Sequence, residues 1–424
     1  MRLSGSSAFL RRVRQLGPGL ITGAADDDPS GIATYSQAGA QFGYSVLWTV
    51  VFTLPLMAAI QIVSARIGYV TRSGLAANIG ATYPRWVVLT IVGMLVVANT
   101  LNIAADLAAM AEALRLLLGG STHVYAVTFG LLSLVLQVFL PYERYVRWLK
   151  WLTLALLAYV AVVFSLKLDW SQVAASLVRP SLPEGADIHD FVLLIVAVFG
   201  TTISPYLFFW QAAQEMEETN GREPRSRAEV RRHLRRIKFD TISGMSFSNL
   251  IAFCIILSTA ATLHTAGVND IQTSAQAAEA LRPLAGELTF LLFGLGIIGT
   301  GLLAVPVLAG SAAYGVAEAL GWKGSLSIVL KRDSTEGRGF YGVITAATIG
   351  GVALCFSPLD PVKALFWAAV LNGVIAVPIM AVMMLLATNA QVMRGQAIGP
   401  RLRRLGWAAT GVMALTVLAL FATL

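Results

Sequence analysis

The segment GPGLITGAADDDPSGIATYSQAGAQF, residues 17–42, limits what this chain can fold into more than any other stretch. It sets three consecutive carboxylates, Asp26, Asp27 and Asp28, against Pro29, Ser30 and Gly31 inside what hydropathy otherwise reads as one membrane-crossing helix. An acidic residue at the centre of a bilayer helix costs on the order of 2.5–3.5 kcal/mol even on the mildest scale, so such residues line a cavity or bind something. Pro29 has no backbone N–H to donate and Gly31 weakens the helix further, which leaves carbonyls near Ala25 free to face a ligand. A carboxylate at a broken membrane helix points to a cation site near the midplane of a carrier.

The remaining sequence supports a membrane setting. Its 424 residues are 56% hydrophobic and 13% charged, with a mean hydropathy of +0.71, which excludes an ordinary water-soluble globule. A net charge of +8 would suit nucleic acid, but the basic residues fall in short connections between apolar segments, where they set topology; no nucleic-acid partner is expected. The basic, polar start of the chain lacks the apolar core of a cleavable leader, so the first span is expected to be retained. Cys254 and Cys355 both sit in apolar runs and read as small core residues. Walker, zinc-helix and nucleophile-elbow patterns are absent, so no enzyme and no cofactor are expected.

Apolar stretches predict eleven spans, over 17–42, 45–70, 86–118, 123–140, 148–166, 191–213, 237–262, 288–320, 341–356, 362–387 and 405–424, with a longer polar connection over 167–189. Charge predicts their orientation. The N-terminal side with Arg11, Arg12 and Arg14 shares its face with Arg72 and Arg85; with Arg144, Arg147 and Lys150; with the cluster over 222–238; with Lys323, Lys331, Arg332 and Arg338; and with Arg394, Arg401, Arg403 and Arg404. The opposite connections carry Asp169, Glu184, Asp187, Asp190, Asp270, Glu279, Glu287 and Asp360. The positive-inside rule therefore predicts a cytoplasmic N-terminus and, after an odd number of spans, an external C-terminus.

The chain also repeats itself. FGTTISPYLFFW, in the sixth span, has a glycine followed by a proline break at Pro205, five spans after Pro29 and entered from the opposite side. This predicts an all-α polytopic membrane protein forming one transporter domain over 1–424. Its two inverted five-span repeats, 17–166 and 190–388, each open with a broken helix, as in the LeuT-like architecture, and a further span follows at 405–424.

On these residues the chain resembles the natural resistance-associated macrophage protein (Nramp) transporters of divalent metals. Their first-span motif is Asp-Pro-Gly-Asn, against Asp28, Pro29, Ser30 and Gly31 here. AGAQFGY over 38–44, QIVSARIGYVT over 61–71 and Ala105-Asp106-Leu107-Ala108 continue the likeness, which covers the first ten spans and is strongest in the first three. The departures narrow it. Members that carry transition metals have Met-Pro-His in the sixth span, where this chain has Ser204, Pro205 and Tyr206; Gly31 replaces a metal-binding asparagine, Ala109 a glutamate of the proton path, and Gln211 a second histidine. This set is similar to the Nramp-related magnesium transporter branch, a resemblance that implies magnesium and manganese carried without tight proton coupling.

Ligand chemistry leads the same way. A thioether favours soft metals, whereas Ser204 offers a hard oxygen. With Asp28, the freed carbonyls near Ala25 and Thr201, and Asp26 and Asp27 beside them, the candidate ligands are all oxygen. Magnesium suits such a set and keeps several of its waters. Gly31 and Ser204 in place of larger residues are expected to widen the cavity for a partly hydrated ion. Asp26 and Asp27 either draw in the ion's water shell or cap the second half-helix; Ser204 either binds the ion or relieves backbone carbonyls at the break. Asn102 and Asp106, four apart on one helix face, line the same path, or Asp106 pairs with Arg66 or another buried group. Asn372 faces the ion or joins two helices. Tyr206 and Gln211 are expected to shape the pathway. All four histidines, His123, His189, His233 and His264, lie in or near connections, which weakens the case for proton symport.

The sequence thus predicts a secondary carrier of divalent cations in the cell membrane, plausibly a bacterial inner membrane, whose partners are the ion, Mg2+ or Mn2+, and the lipid bilayer. The alternatives are a proton-coupled manganese or iron transporter, a LeuT-like symporter of an organic substrate, and a receptor that binds metal without moving it. Three adjacent aspartates count against a carboxylate substrate.

Overall fold

The computed structural model describes residues 18–140, 152–182, 185–219, 226–322, 335–358 and 360–424. Of the residues used to argue topology and span limits, Arg11, Arg12, Arg14, Gly17, Arg144, Arg147, Trp148, Lys150, Glu184, Arg222, Lys323, Lys331 and Arg332 lie outside the described residues.

The described chain is helical, without strands. The first span is two helices, α1 (Pro18–Asp26) and α2 (Pro29–Phe42); α3 (Trp48–Thr71), the short α4 (Leu75–Thr82), α5 (Arg85–Leu118) and α6 (Thr122–Phe139) follow. The fifth span is a 3-10 turn (Leu152–Leu156) leading into α7 (Leu157–Ser165). The sixth span is again two helices, α9 (Ile188–Thr202) and α10 (Pro205–Glu218), preceded by α8 (Trp170–Val178). The rest are α11 (Arg227–Thr259), α12 (Thr289–Leu320), α13 (Thr335–Leu354), α14 (Pro361–Thr388) and α15 (Pro400–Thr423). Among the described residues, eight stretches are long and apolar enough to cross a membrane.

The polar connection over 167–189 holds α8, whose N-cap Asp169 accepts from the N–H groups of Ser171 and Gln172. The Ser171 hydroxyl, which donates to the same carboxyl at 2.7 Å, and those backbone bonds hold the exposed Asp169 carboxyl below the usual carboxylate range. The seventh span begins ten residues early, because Ser226 caps the basic stretch by accepting from Glu229 N–H, and Arg and Glu are good helix formers.

Several of the acidic residues opposite the basic connections have a structural task. Asp169, Asp187 and Asp360 are the N-caps of α8, α9 and α14, each satisfying backbone donors at a helix start. Prolines mark four starts, at N1 of α2, α10, α14 and α15, where the missing N–H costs nothing.

The two halves pack alike. The broken first span lies along α11, and the broken sixth span lies along α3, while α5 and α12 lean on one another across the repeat axis. Glycines permit the closest of these approaches. A Cβ on Gly23 would fall 2.6 Å from the Gly244 Cα, and one on Gly200 would fall 2.8 Å from the Gly373 Cα, so α1 meets α11, and α9 meets α14, backbone to backbone.

Candidate metal site

Both breaks follow from one covalent fact. In an unbroken helix the carbonyl of residue i accepts from the N–H of i+4; Pro29 and Pro205 have none, so the carbonyls of Ala25 and Thr201 are orphaned. The residue before each proline is pushed to extended backbone, Asp28 at φ −70°, ψ 171° and Ser204 at φ −83°, ψ 130°. Hydroxyls meet both orphans. Tyr206 donates toward the Ala25 carbonyl at 3.0 Å and the Asp28 Oδ2 at 3.1 Å, and Ser204 donates toward the carbonyls of Gly200 and Thr201 at 2.8 and 2.7 Å.

Asp28 therefore has two roles. Its Oδ1 caps α2, accepting from Gly31 N–H at 2.8 Å and Ser30 Oγ at 2.6 Å, while its Oδ2 turns to the sixth span and Tyr206. The Thr201 carbonyl, expected to be free, is held by Ser204, whose hydroxyl relieves the break while its lone pairs stay open to a cation. It is the Thr201 hydroxyl that has no partner, and it faces Gly31. The wider space expected at Gly31 is not there: a Cβ on Gly31 would meet the Thr201 Oγ1 at 3.2 Å and the Tyr35 ring at 3.4 Å. Tyr35 in turn bonds Thr202 Oγ1 at 3.0 Å, tying the two broken spans together.

Asp26 and Asp27 do not cap α2; Asp28 does. Instead both face Ser248 of α11, whose Oγ lies 2.6 Å from Asp26 Oδ2 and 3.0 Å from Asp27 Oδ1. Ser248 has one proton for two carboxylates, and Asp26 Oδ1 and Asp27 Oδ2 have no partner among the described residues. Asp106 has none on either oxygen. Its suggested partner Arg66 lies elsewhere, donating to the Gln396 carbonyl at 3.3 Å. One turn before Asp106, Asn102 donates to Asn372 Oδ1 at 3.0 Å, so this pair joins α5 to α14 and leaves Asn102 Oδ1 and Asn372 Nδ2 unpaired. Gln211 lies further along α10, bonded to Thr241 at 2.9 Å.

The four aspartates are buried, Asp26 at 0%, Asp27 at 1%, Asp28 at 2% and Asp106 at 0% exposure. Among the described residues no ion pair reaches any of them. Isolated buried carboxylates are among the most costly groups a protein can hold, so each must be neutralised by a proton or matched by a cation. Sequence reasoning missed Ser248, although the small, polar run SGMSFSN over 243–249 within an apolar span marked it. It also missed Met110, one turn past Asp106, whose thioether packs on the Gly301 face that meets Pro29.

The site is closed at the end of the bundle that carries the basic connections. Asp240 of α11 accepts from Gly19 N–H at 2.8 Å at the start of α1, Tyr314 of α12 donates to Glu217 at 2.6 Å, and Arg236 pairs with Glu215 and Glu218 of α10. At the other end a 380 Å³ pocket between α2, α9 and α14 is lined by Asp190 and Asp270 together with Lys363.

Relatives in sequence are metal carriers by name. Divalent metal cation transporters MntH of Yersinia pestis and Yersinia pseudotuberculosis are 30% identical over 308 residues, 70% of this chain and 71% of theirs. The fold matches a manganese transporter of Eremococcus coleocola with a TM-score of 0.76 at 18% identity, over 97% of this chain and 87% of that one. It also matches Mhp1, a nucleobase-cation-symport-1 family transporter, at 14% and 15% identity over 96% of this chain and 90% of that one. The TM-score is 0.60 for the closed form and 0.52 for the inward-facing form. The model of the natural resistance-associated macrophage protein-like family matches residues 19–423, and the chain belongs to that family, Nramp.

Proposed function

We propose that the chain is a secondary carrier of divalent metal cations that favours magnesium and manganese, bound partly hydrated, without tight proton coupling. The observation that carries this reading is the group of buried carboxylates at the first break, with unpartnered oxygens on Asp26, Asp27 and Asp106 and no basic partner among the described residues. A monovalent ion would leave most of that charge unmatched; a divalent one offsets twice as much.

Asp28 Oδ2 and the Ala25 carbonyl are the direct ligands in this account, since both face one point that a positively polarised Tyr206 hydrogen already occupies. Ser204 and the Thr201 hydroxyl complete the shell directly or through water, and Asp26, Asp27 and Asp106 hold the ion's outer waters. Oxygen ligands alone suit magnesium. The ion enters from the pocket with Asp190 and Asp270, which the charge pattern assigns to the outside, and leaves when α1 parts from α11 on the cytoplasmic side. With the N-terminus inside, a membrane potential contributes roughly 2.3 kcal/mol per charge per 100 mV, and two charges double it. The proton-coupled reading remains second, favoured by Met110, whose soft sulfur borders the first break.

The test is uptake into liposomes loaded with a pH dye. Manganese entry that millimolar magnesium suppresses, with no acidification inside, supports the proposal. Stoichiometric acidification would sink the uncoupled mechanism, and manganese entry untouched by magnesium would sink the hard-ligand site.

A further inference from the structure

A second binding site lies on the flank of the molecule, away from the aspartates. Between α3, α11 and α15 the surface opens into a groove of about 770 Å³ at the end that carries the basic connections. Its walls are mainly apolar, with Ile62, Ile242 and Leu405 along its length. Apart from the Ser246 hydroxyl, its polar lining is positive charge: Arg66 from α3, Lys238 from α11 and Arg401 from α15, with no carboxylate in the lining. Like charges converging from three helices repel one another, and nothing in the described protein offsets them here. Lys238 and Arg401 are exposed and enter no ion pair among the described residues. Arg66 is partly buried; its Nη2 donates to the Gln396 carbonyl at 3.3 Å, and its Nε has no partner among the described residues.

Two more features fit the same ligand. Gly399, the N-cap of α15, supplies no side chain to the first N–H groups of that helix, and both Gly399 and Pro400 line the groove. An uncapped start of a 24-residue helix carries partial positive charge and free donors suited to an anion. Beyond this charged end the groove continues as hydrocarbon surface, walled by helices long and apolar enough to cross a membrane. A free anion would leave that surface bare, whereas a lipid fills both parts.

We infer that this groove binds an anionic phospholipid, with its phosphate among Arg66, Lys238, Arg401 and the start of α15, and an acyl chain along Ile62, Ile242 and Leu405. Basic pockets between membrane helices recognise lipid headgroups in this way. The groove shares α11 with the candidate metal site: Ser246 lines the groove, and Ser248, on a different face of the same helix, bonds Asp26 and Asp27. An occupied groove braces α11 against α3 and α15.

The experiment is native mass spectrometry of the full-length protein in a neutral detergent, titrated with phosphatidylglycerol or phosphatidylcholine. The wild type is compared with the double variant Lys238→Gln/Arg401→Gln, which changes only exposed residues, and with Arg403→Gln/Arg404→Gln, which removes two cations outside the groove. The wild type is expected to retain phosphatidylglycerol in preference to phosphatidylcholine. A basic side chain near an anionic lipid is worth about fivefold, so the first variant loses roughly twenty-five-fold in retention and the second is unchanged. Equal losses in both variants, or full retention in the first, would overturn the site. Displacement of the lipid by glycerol phosphate as readily as by phosphatidylglycerol would also overturn it, because the groove would then serve a soluble anion.

Discussion

Replacing Tyr206 with phenylalanine separates a hydroxyl that stands in for the ion from one that binds it. The ring is 1% exposed, and Phe keeps its volume, so no cavity opens. What disappears is one proton placed 3.0 Å from the Ala25 carbonyl and 3.1 Å from Asp28 Oδ2. A cation that takes both oxygens must first break that bond. Hydrogen bonds to charged groups are worth about 1.5–3 kcal/mol, and these distances lie at the long end of the range, which favours the lower figure. The Tyr206→Phe protein should then bind magnesium about tenfold more tightly, because roughly 1.4 kcal/mol is a factor of ten. Without metal it should melt at a lower temperature, since the carbonyl and carboxylate are left unpaired. Calorimetric titration and thermal unfolding in detergent read both effects. Weaker magnesium binding in Tyr206→Phe would refute the reasoning and make the hydroxyl oxygen a ligand.

Three further substitutions follow from the same geometry. Ser248→Ala removes the only donor shown to face Asp26 and Asp27, so it should destabilise the metal-free protein by about 1–3 kcal/mol in thermal unfolding, with saturating magnesium recovering most of the loss. Gly23→Ala forces a methyl against the Gly244 backbone and should cost about 1–3 kcal/mol, whereas Gly411→Ala, mid-helix with open space around it, should raise the melting temperature slightly. Ser204→Met puts a thioether at the second break and should raise cadmium uptake relative to magnesium; an unaltered ratio in competition assays would show that this position does not face the ion.

The long apolar helices, the two breaks and the inverted repeat were legible because each is written in local chemistry: apolar length, a proline without an N–H, and a glycine near it. Asp28 stood out for the same reason, as a carboxylate preceding a proline inside a hydrophobic stretch. Long-range partners were not legible. Nothing near Tyr206 in the sequence says that its hydroxyl reaches back 178 residues to Asp28, or that Ser248 would serve two aspartates more than 220 residues away. Asp106 could be read as paired with Arg66 because sequence spacing does not say which side of the bundle each helix presents. The space expected at Gly31 failed likewise, since Thr201 and Tyr35 fill it from other helices. The early start of α11 was hidden by its charge, which hydropathy scores as loop although the residues are good helix formers.

The central claim is that Asp28 binds the transported ion as well as capping α2. Asparagine caps a helix nearly as well as aspartate but carries no charge, so Asp28→Asn divides the two roles. The measurement is manganese uptake into liposomes by this variant beside the wild type, with the melting temperature of each recorded with and without magnesium. The account predicts an unchanged metal-free melting temperature, no stabilisation by magnesium and no uptake. Uptake at the wild-type rate by a folded Asp28→Asn protein would contradict it and leave Asp28 as a cap alone.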